Sequence, residues 1–169
     1  DIYIAQGGWR QAFFIDLLAN GAGGVTYTPV ASQHIFLSGA DFAEDVLIRD
    51  GTRIASPRSL TYYIRHEVNH LAMARAFGPI RFHLHPLWVT EGIADLAGLG
   101  RPNRAEMLHQ MGGRPTTLDD MIAFGSYPRE RLLADWALYQ RGSEFLVNTR
   151  IDEAEAWAMM LADGWGEGG

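Results

Sequence analysis

Two histidines stand four residues apart in the stretch RHEVNH, and a glutamate directly follows the first of them. On a helix, residues four apart lie on one face with Cβ atoms about 5–6 Å apart, so His66 and His70 can converge on one metal ion. Glu67 is rotated from His66 by about 100°; it need not bind the ion and can accept a proton from a water molecule that the ion activates. The pattern predicts a zinc site with a general base, although two histidines leave a tetrahedral ion short of a ligand.

The third ligand has three candidates downstream of the two histidines. A catalytic zinc site takes three protein ligands and keeps one position open for water. Residues of suitable type are Glu91 in WVTEGIAD, and His83 and His85 in FHLH. The last two alternate, so that on an extended segment they point the same way and form a metal-binding pattern of their own. Residue types leave all three open, and one of these two histidines can instead contact substrate.

The composition limits both the kind of protein that this chain can be and the residue types that can bind a metal. The 169 residues are 47% hydrophobic and 20% charged, as in an ordinary globular chain, and no run is long enough to span a bilayer. The net charge is −6 and the 14 basic residues, all arginine, are scattered, which argues against nucleic-acid binding. Because cysteine is absent, any metal ligands must come from His, Asp and Glu.

Strand patterns precede helix patterns along the chain. We predict a helix over 9–19, strands at VTYT and HIFL, and a hairpin in VLIRDGTRIA that turns at Asp50-Gly51. These segments indicate a small, mostly antiparallel sheet. The sequence after the hairpin has mostly helical patterns, so the predicted fold class is α+β.

Capping signals set the expected limits of the two helices that carry the candidate ligands. Ser56 is a suitable cap with Pro57 in the first turn, and the motif helix then extends to Phe77, where Gly78 and Pro79 end it. A loop follows, and Thr90 is a suitable cap for the second helix. We expect one domain over 1–169, divided into a helix and strands (1–55), the zinc-binding helices (56–100) and a helical part (101–169).

The motif helix and the segment after it resemble a known family. HEVNH, followed 21 residues after its second histidine by the glutamate of WVTEGIAD, is similar to the gluzincin metallopeptidases, the thermolysin-like group, and above all to bacterial peptidase MA-like domains. The resemblance covers about 40 residues, Ser56 to Leu96, and implies a zincin-like fold. In that family the second glutamate is the third zinc ligand, which implies this role for Glu91.

The resemblance also implies roles for residues around the ion. Asp95, four residues after Glu91, would accept a hydrogen bond from the non-ligating nitrogen of His66, as carboxylates outside the ligand set do. DWALYQRGSEF resembles the helix that follows the ligand glutamate in the family, which makes Tyr139 the first candidate for stabilising the oxyanion, ahead of Tyr127 and His109. By analogy, the strand GTRIA would pair with an extended substrate.

The function expected from these residues is zinc-dependent hydrolysis of peptide bonds in a peptide or protein substrate. The aminopeptidase signature Gly-x-Met-x-Asn is absent upstream, which favours an endopeptidase or an unspecialised hydrolase. Two alternatives remain: a non-catalytic domain that zinc stabilises for interaction with a partner, and a metal-free helical interaction domain. The sequence leaves substrate-binding residues, oligomeric state and compartment open, with bacterial extracytoplasmic and cytoplasmic locations both compatible. Its first residue, Asp1, suggests a soluble fragment or a processed product.

Overall fold

The structure is a computed structural model of the α+β class, as the sequence predicts. It describes residues 1–5, 7–17, 24–26, 34–49, 51–54, 58–110, 112–113, 118–123 and 126–165. By its internal contacts the chain divides into two compact units, Asp1–Phe82 and His83–Gly169. The expectation of one domain over 1–169 stays a prediction.

The strands come first in the chain and most of the helical residues follow. The strands are β1 (Ile2–Ala5), β2 (Gly24–Thr26), β3 (Ile35–Asp41), β4 (Val46–Arg49) and β5 (Thr52–Arg53). The helices are α1 (Gly8–Arg10), which continues as π-helix over Gln11–Leu17, α2 (Leu60–Phe77), α3 (Pro79–His83), α4 (Leu87–Leu99), α5 (Arg104–Gln110), α6 (Leu118–Ala123), α7 (Ser126–Trp136), which continues as π-helix over Ala137–Arg141, α8 (Ser143–Asn148) and α9 (Glu153–Ala162).

A five-stranded sheet occupies the first unit and is built around β3. β1 runs parallel to β3, whereas β2 and β4 are antiparallel to it and β5 is antiparallel to β4. The mostly antiparallel sheet is therefore confirmed. Its buried side chains form one apolar core with the start of α2, contributed by Ile35, Leu37, Ala40, Leu47 and Leu60.

The predicted hairpin and the first predicted helix are present in the described residues. Arg49 pairs with Thr52, which leaves two residues for the turn, and Gly51 has a φ of 75°, a value that glycine adopts without steric cost. Asp50 lies outside the described residues. The first helix is helical over 8–17, partly as π-helix, and the last two positions of the predicted range, 18 and 19, also lie outside them.

The start of α2 lies three residues after the predicted one. Ser59, not Ser56, is the cap, and its Oγ accepts a hydrogen bond of 3.0 Å from the backbone N–H of Tyr62. Asp45, in the turn after β3, adds a second cap, because its Oδ1 accepts from Thr61 N (2.7 Å) and its backbone oxygen accepts from Leu60 N (2.9 Å). The hydrogen bond from Thr61 lowers the pKa of Asp45 below its ordinary value. The prediction that Ser56 caps this helix was wrong, and residues 55–57 lie outside the described part.

The second unit is helical around a large apolar core. Four tryptophans are almost fully buried in it, together with leucine, methionine and smaller side chains; they are Trp88, Trp136, Trp157 and Trp165. α4 packs along α7, and Gly92 lies against that helix. A Cβ on Gly92 would lie 2.7 Å from the Cβ of Ala134 and would overlap the backbone oxygen of Glu130. Because it has no side chain, Gly92 lets α4 lie directly against α7.

Three predicted boundaries in the helical half were wrong. α4 begins at Leu87, because the carbonyl of Pro86 accepts from the backbone N–H groups of Val89 and Thr90, so Thr90 lies inside the helix and does not cap it. The expected loop after Gly78 contains α3, since proline suits a first helical position. The segment DWALYQRGSEF, which resembles a single helix of the family, is interrupted at Gly142, whose φ is 94°.

Within the described ranges, no helix combines the length and the apolar character that crossing a bilayer requires.

Candidate metal centre

His66 and His70 are both buried on α2, as the four-residue spacing predicts. Their Nε2 atoms lie 3.0 Å apart and their rings are nearly perpendicular, with an interplanar angle of 83°. Two nitrogens bound to one tetrahedral ion at about 2.0–2.1 Å each would be separated by about 3.3 Å. The two imidazoles therefore already stand close to the separation that a shared ion demands.

Tyr62, one helical turn before His66, contacts the other nitrogen of that imidazole. Its hydroxyl oxygen lies 3.2 Å from His66 Nδ1, and its side chain is buried. When Nε2 binds a metal, Nδ1 carries the ring proton and can donate a hydrogen bond to the hydroxyl oxygen of Tyr62. The contact is compatible with the tautomer of His66 that metal binding needs.

Glu91, on α4, completes the group. His66, His70 and Glu91 each offer one ligand atom, and these three atoms all lie within 4.8 Å of one another, so the group could hold a metal ion. Two imidazoles and a carboxylate suit a divalent transition metal and match the composition of known catalytic zinc sites. Among the described residues, neither His83 nor His85 belongs to such a group.

Glu67 is buried on α2 and does not belong to the metal-binding group. Its Oε2 accepts a hydrogen bond of 2.8 Å from the hydroxyl of Thr26 on β2. The sequence predicted a general base at this position, but not its contact with the sheet. A carboxylate in this position can accept a proton from a water molecule within hydrogen-bond distance.

Several acidic residues lie around Glu91 within the second unit. Asp95, four residues further on α4, is buried, as is Glu130 on α7. Burial, followed by the charges of Glu91, Glu153 and Asp95, raises the pKa of Glu130 from its ordinary value of 4.5 to about 8. Glu130 therefore holds its proton near neutrality, which limits its repulsion of the Glu91 carboxylate. The role predicted for Asp95, orientation of His66, stays a prediction.

The histidines of FHLH have different environments. His83 is exposed, whereas His85 is buried and its Nδ1 lies 3.0 Å from Nη1 of Arg150. A guanidinium can only donate, so Nδ1 of His85 is the acceptor and its proton is on Nε2. This hydrogen bond makes Nδ1 unsuitable as a ligand.

Tyr139, the predicted oxyanion stabiliser, lies in the π-helical segment after α7 and is 54% exposed. The guanidinium carbon of Arg101 is 3.6 Å from the centre of its ring. Arg101 also donates two hydrogen bonds, of 2.7 and 3.2 Å, to the buried carboxylate of Asp135. The ring is thus held in a cation–π contact, and the catalytic role of its hydroxyl stays a prediction.

The strand beside Glu67 is β2, which packs against α2. The predicted substrate-pairing strand, GTRIA, forms β5, and its described strand residues, Thr52 and Arg53, are exposed. Pairing of substrate with that strand stays a prediction.

Three residues around the site were missed by sequence reasoning: Tyr62, Thr26 and Glu130. Only Tyr62 carried a signal, because a residue four before His66 lies on the same helix face. The other two are brought in by β2 and α7. Comparisons of the chain with protein-family models, with curated proteins and with solved structures found no match.

Proposed function

We propose that this chain is a zinc-dependent peptidase of the gluzincin type, in which His66, His70 and Glu91 hold the ion and Glu67 is the general base. The observation that carries the proposal is the pairing of a three-ligand group within 4.8 Å with a buried carboxylate that is not part of it. Zinc is the metal we propose because two imidazoles and one carboxylate leave a tetrahedral ion one position for water.

The presence of Glu67 favours catalysis over a purely structural metal site. A structural zinc site closes its coordination with four protein ligands and has no use for a base. Burying a carboxylate is costly unless it is hydrogen-bonded, and here Thr26 donates to it at 2.8 Å. The fold thus maintains an acidic group beside His66 that metal binding alone does not require.

The proposed chemistry adds water across a peptide bond. A bound zinc ion would polarise the carbonyl group and make a water molecule more acidic. Glu67 accepts a proton from that water as its oxygen attacks the carbonyl carbon, and then passes a proton to the nitrogen as the C–N bond breaks. Tyr139 is the proposed donor to the developing oxyanion. The products are a carboxylate and an amine.

The test of this function combines zinc content with peptide cleavage. Protein is purified without added metal, its zinc is measured, and a broad peptide library is incubated with wild type and with Glu67→Gln. We expect about one zinc ion per chain in both, with cleavage by wild type only, because an amide cannot accept the proton. Glu44→Gln is the matched control, since Glu44 is an exposed carboxylate in the turn after β3.

Other outcomes separate the alternatives. Equal cleavage by wild type and Glu67→Gln would remove Glu67 as the base. Zinc without cleavage in wild type would favour the non-catalytic zinc domain, and absence of zinc would favour the metal-free interaction domain. In Glu91→Ala we expect a large loss of zinc affinity, and an unchanged affinity would contradict its assignment as a ligand.

A further inference from the structure

Thr26 contacts the proposed base from a strand that lies 41 residues earlier in the chain. Its Oγ1 is 2.8 Å from Glu67 Oε2 and 3.3 Å from the backbone oxygen of Glu67. A hydroxyl has one proton to donate, and the shorter contact is to the charged acceptor, where the hydrogen bond is stronger. Thr26 is therefore assigned as a donor to the carboxylate.

Gly24 allows β2 to come this close to Glu67. A Cβ on Gly24 would lie 3.3 Å from both Cγ and Oε1 of Glu67 and 2.8 Å from Cδ2 of Leu37. Any side chain at this position would push the strand away from the carboxylate or displace it. The strand itself is fixed by pairing with β3, where Gly24 is opposite Leu37 and Thr26 is opposite Ile35, two fully buried residues.

We propose that Thr26 is a positioning residue for Glu67: its hydroxyl holds the carboxylate in the orientation in which it receives the proton from water. This inference rests on the proposed function. The terminal torsion of a glutamate side chain has broad minima, so a carboxylate without a fixed partner samples many orientations. A hydrogen bond from a residue anchored in the sheet restricts this rotation. Proton transfer depends steeply on geometry, and misplacement by about 1 Å can cost about 100-fold in rate.

The test compares Thr26→Val, Thr26→Ser and wild type. Valine keeps the branched shape that a strand favours but cannot donate, and serine keeps the hydroxyl. We expect Thr26→Val to lower kcat by about 10- to 100-fold with KM and zinc affinity unchanged, and Thr26→Ser to stay within about threefold of wild type. Tyr3→Phe is the control, because it removes an exposed hydroxyl from β1, another strand of the same sheet.

A second readout is independent of activity. In a crystal structure of Thr26→Val we expect the Glu67 carboxylate to leave its position, and in Thr26→Ser to keep it. If Thr26→Val does not fold, Thr26→Ala compared with Thr26→Ser isolates the hydroxyl. An unchanged kcat in the variants without the hydroxyl, or an unmoved carboxylate, overturns the proposal. If wild type cleaves no peptide, the proposed function fails, and the crystal structures still decide whether Thr26 holds Glu67.

Discussion

The free energy of unfolding of wild type should fall as the pH rises, and replacement of Glu130 by glutamine should prevent this fall. The Glu130 side chain is only 8% exposed, and its pKa is raised from 4.5 to about 8, first by burial and then by the charges of Glu91, Glu153 and Asp95. Below pH 4.5 the carboxyl group is protonated in both the folded and the unfolded chain. Above about pH 8 it is ionised in both, and the folded chain then contains a buried charge among other acids.

Between these two pH values the folded chain holds a proton that the unfolded chain has lost. The free energy of unfolding therefore falls as the pH rises, by about 1.4 kcal/mol for each pH unit. Over the whole window the loss is on the order of 3 to 5 kcal/mol. Glutamine is neutral at every pH and nearly the same size, so Glu130→Gln should match wild type near pH 5 and exceed it by most of that amount at pH 8.

The assay is urea unfolding of chelator-treated protein at pH 5, 6, 7 and 8. Metal must be removed, because a cation beside Glu91 would offset the negative charge that acts on Glu130. Glu155→Gln, a substitution at an exposed position of α9, is the control and should follow wild type. A wild-type stability that does not fall from pH 5 to pH 8 relative to Glu130→Gln would refute the proposed burial of a neutral carboxyl group.

Three further substitutions test the surroundings of the site. Tyr62→Phe removes the partner of His66 Nδ1 and should weaken zinc binding by about tenfold; an unchanged affinity in chelator competition would contradict this role. Gly92→Ala places a Cβ 2.7 Å from that of Ala134 and should lower the free energy of unfolding by about 1–3 kcal/mol or more; an unchanged urea midpoint would argue against this packing. Tyr139→Phe keeps the ring but not the hydroxyl, so thermal stability should hold while kcat falls about 100-fold; an unchanged kcat would exclude it as the oxyanion donor.

The sequence was more informative about the metal-binding residues than about helix boundaries. The pairing of His66 with His70 follows from their spacing on one helix, whereas residue types left Glu91, His83 and His85 open and only the family resemblance favoured Glu91. Helix starts were less certain because Ser56 and Ser59 are equally good caps by residue type. The choice depends on Asp45, which bonds the backbone of α2 from the turn after β3, a tertiary contact that no local pattern encodes.

The partners of the site residues were hidden for a similar reason. Thr26 and Glu67 are 41 residues apart, and a threonine in a short strand is ordinary by composition. Likewise, Glu130 reads as one more acid in a charged stretch of sequence, and only its burial against α4 makes it unusual. Such pairings arise from packing of distant segments, so a single sequence contains no periodicity that predicts them.

The double cap formed by Ser59 and Asp45 has a consequence for how this chain tolerates insertions. The caps fix the rotation of α2 at its first residues, so the direction of every later side chain is set by counting from Leu60. One residue inserted between Leu60 and His66 would advance the histidines by about 1.5 Å and turn them by about 100°, although both caps would persist. Substitutions between Leu60 and His66 leave the direction of later side chains unchanged, whereas a change in the length of this segment would redirect His66, Glu67 and His70 together.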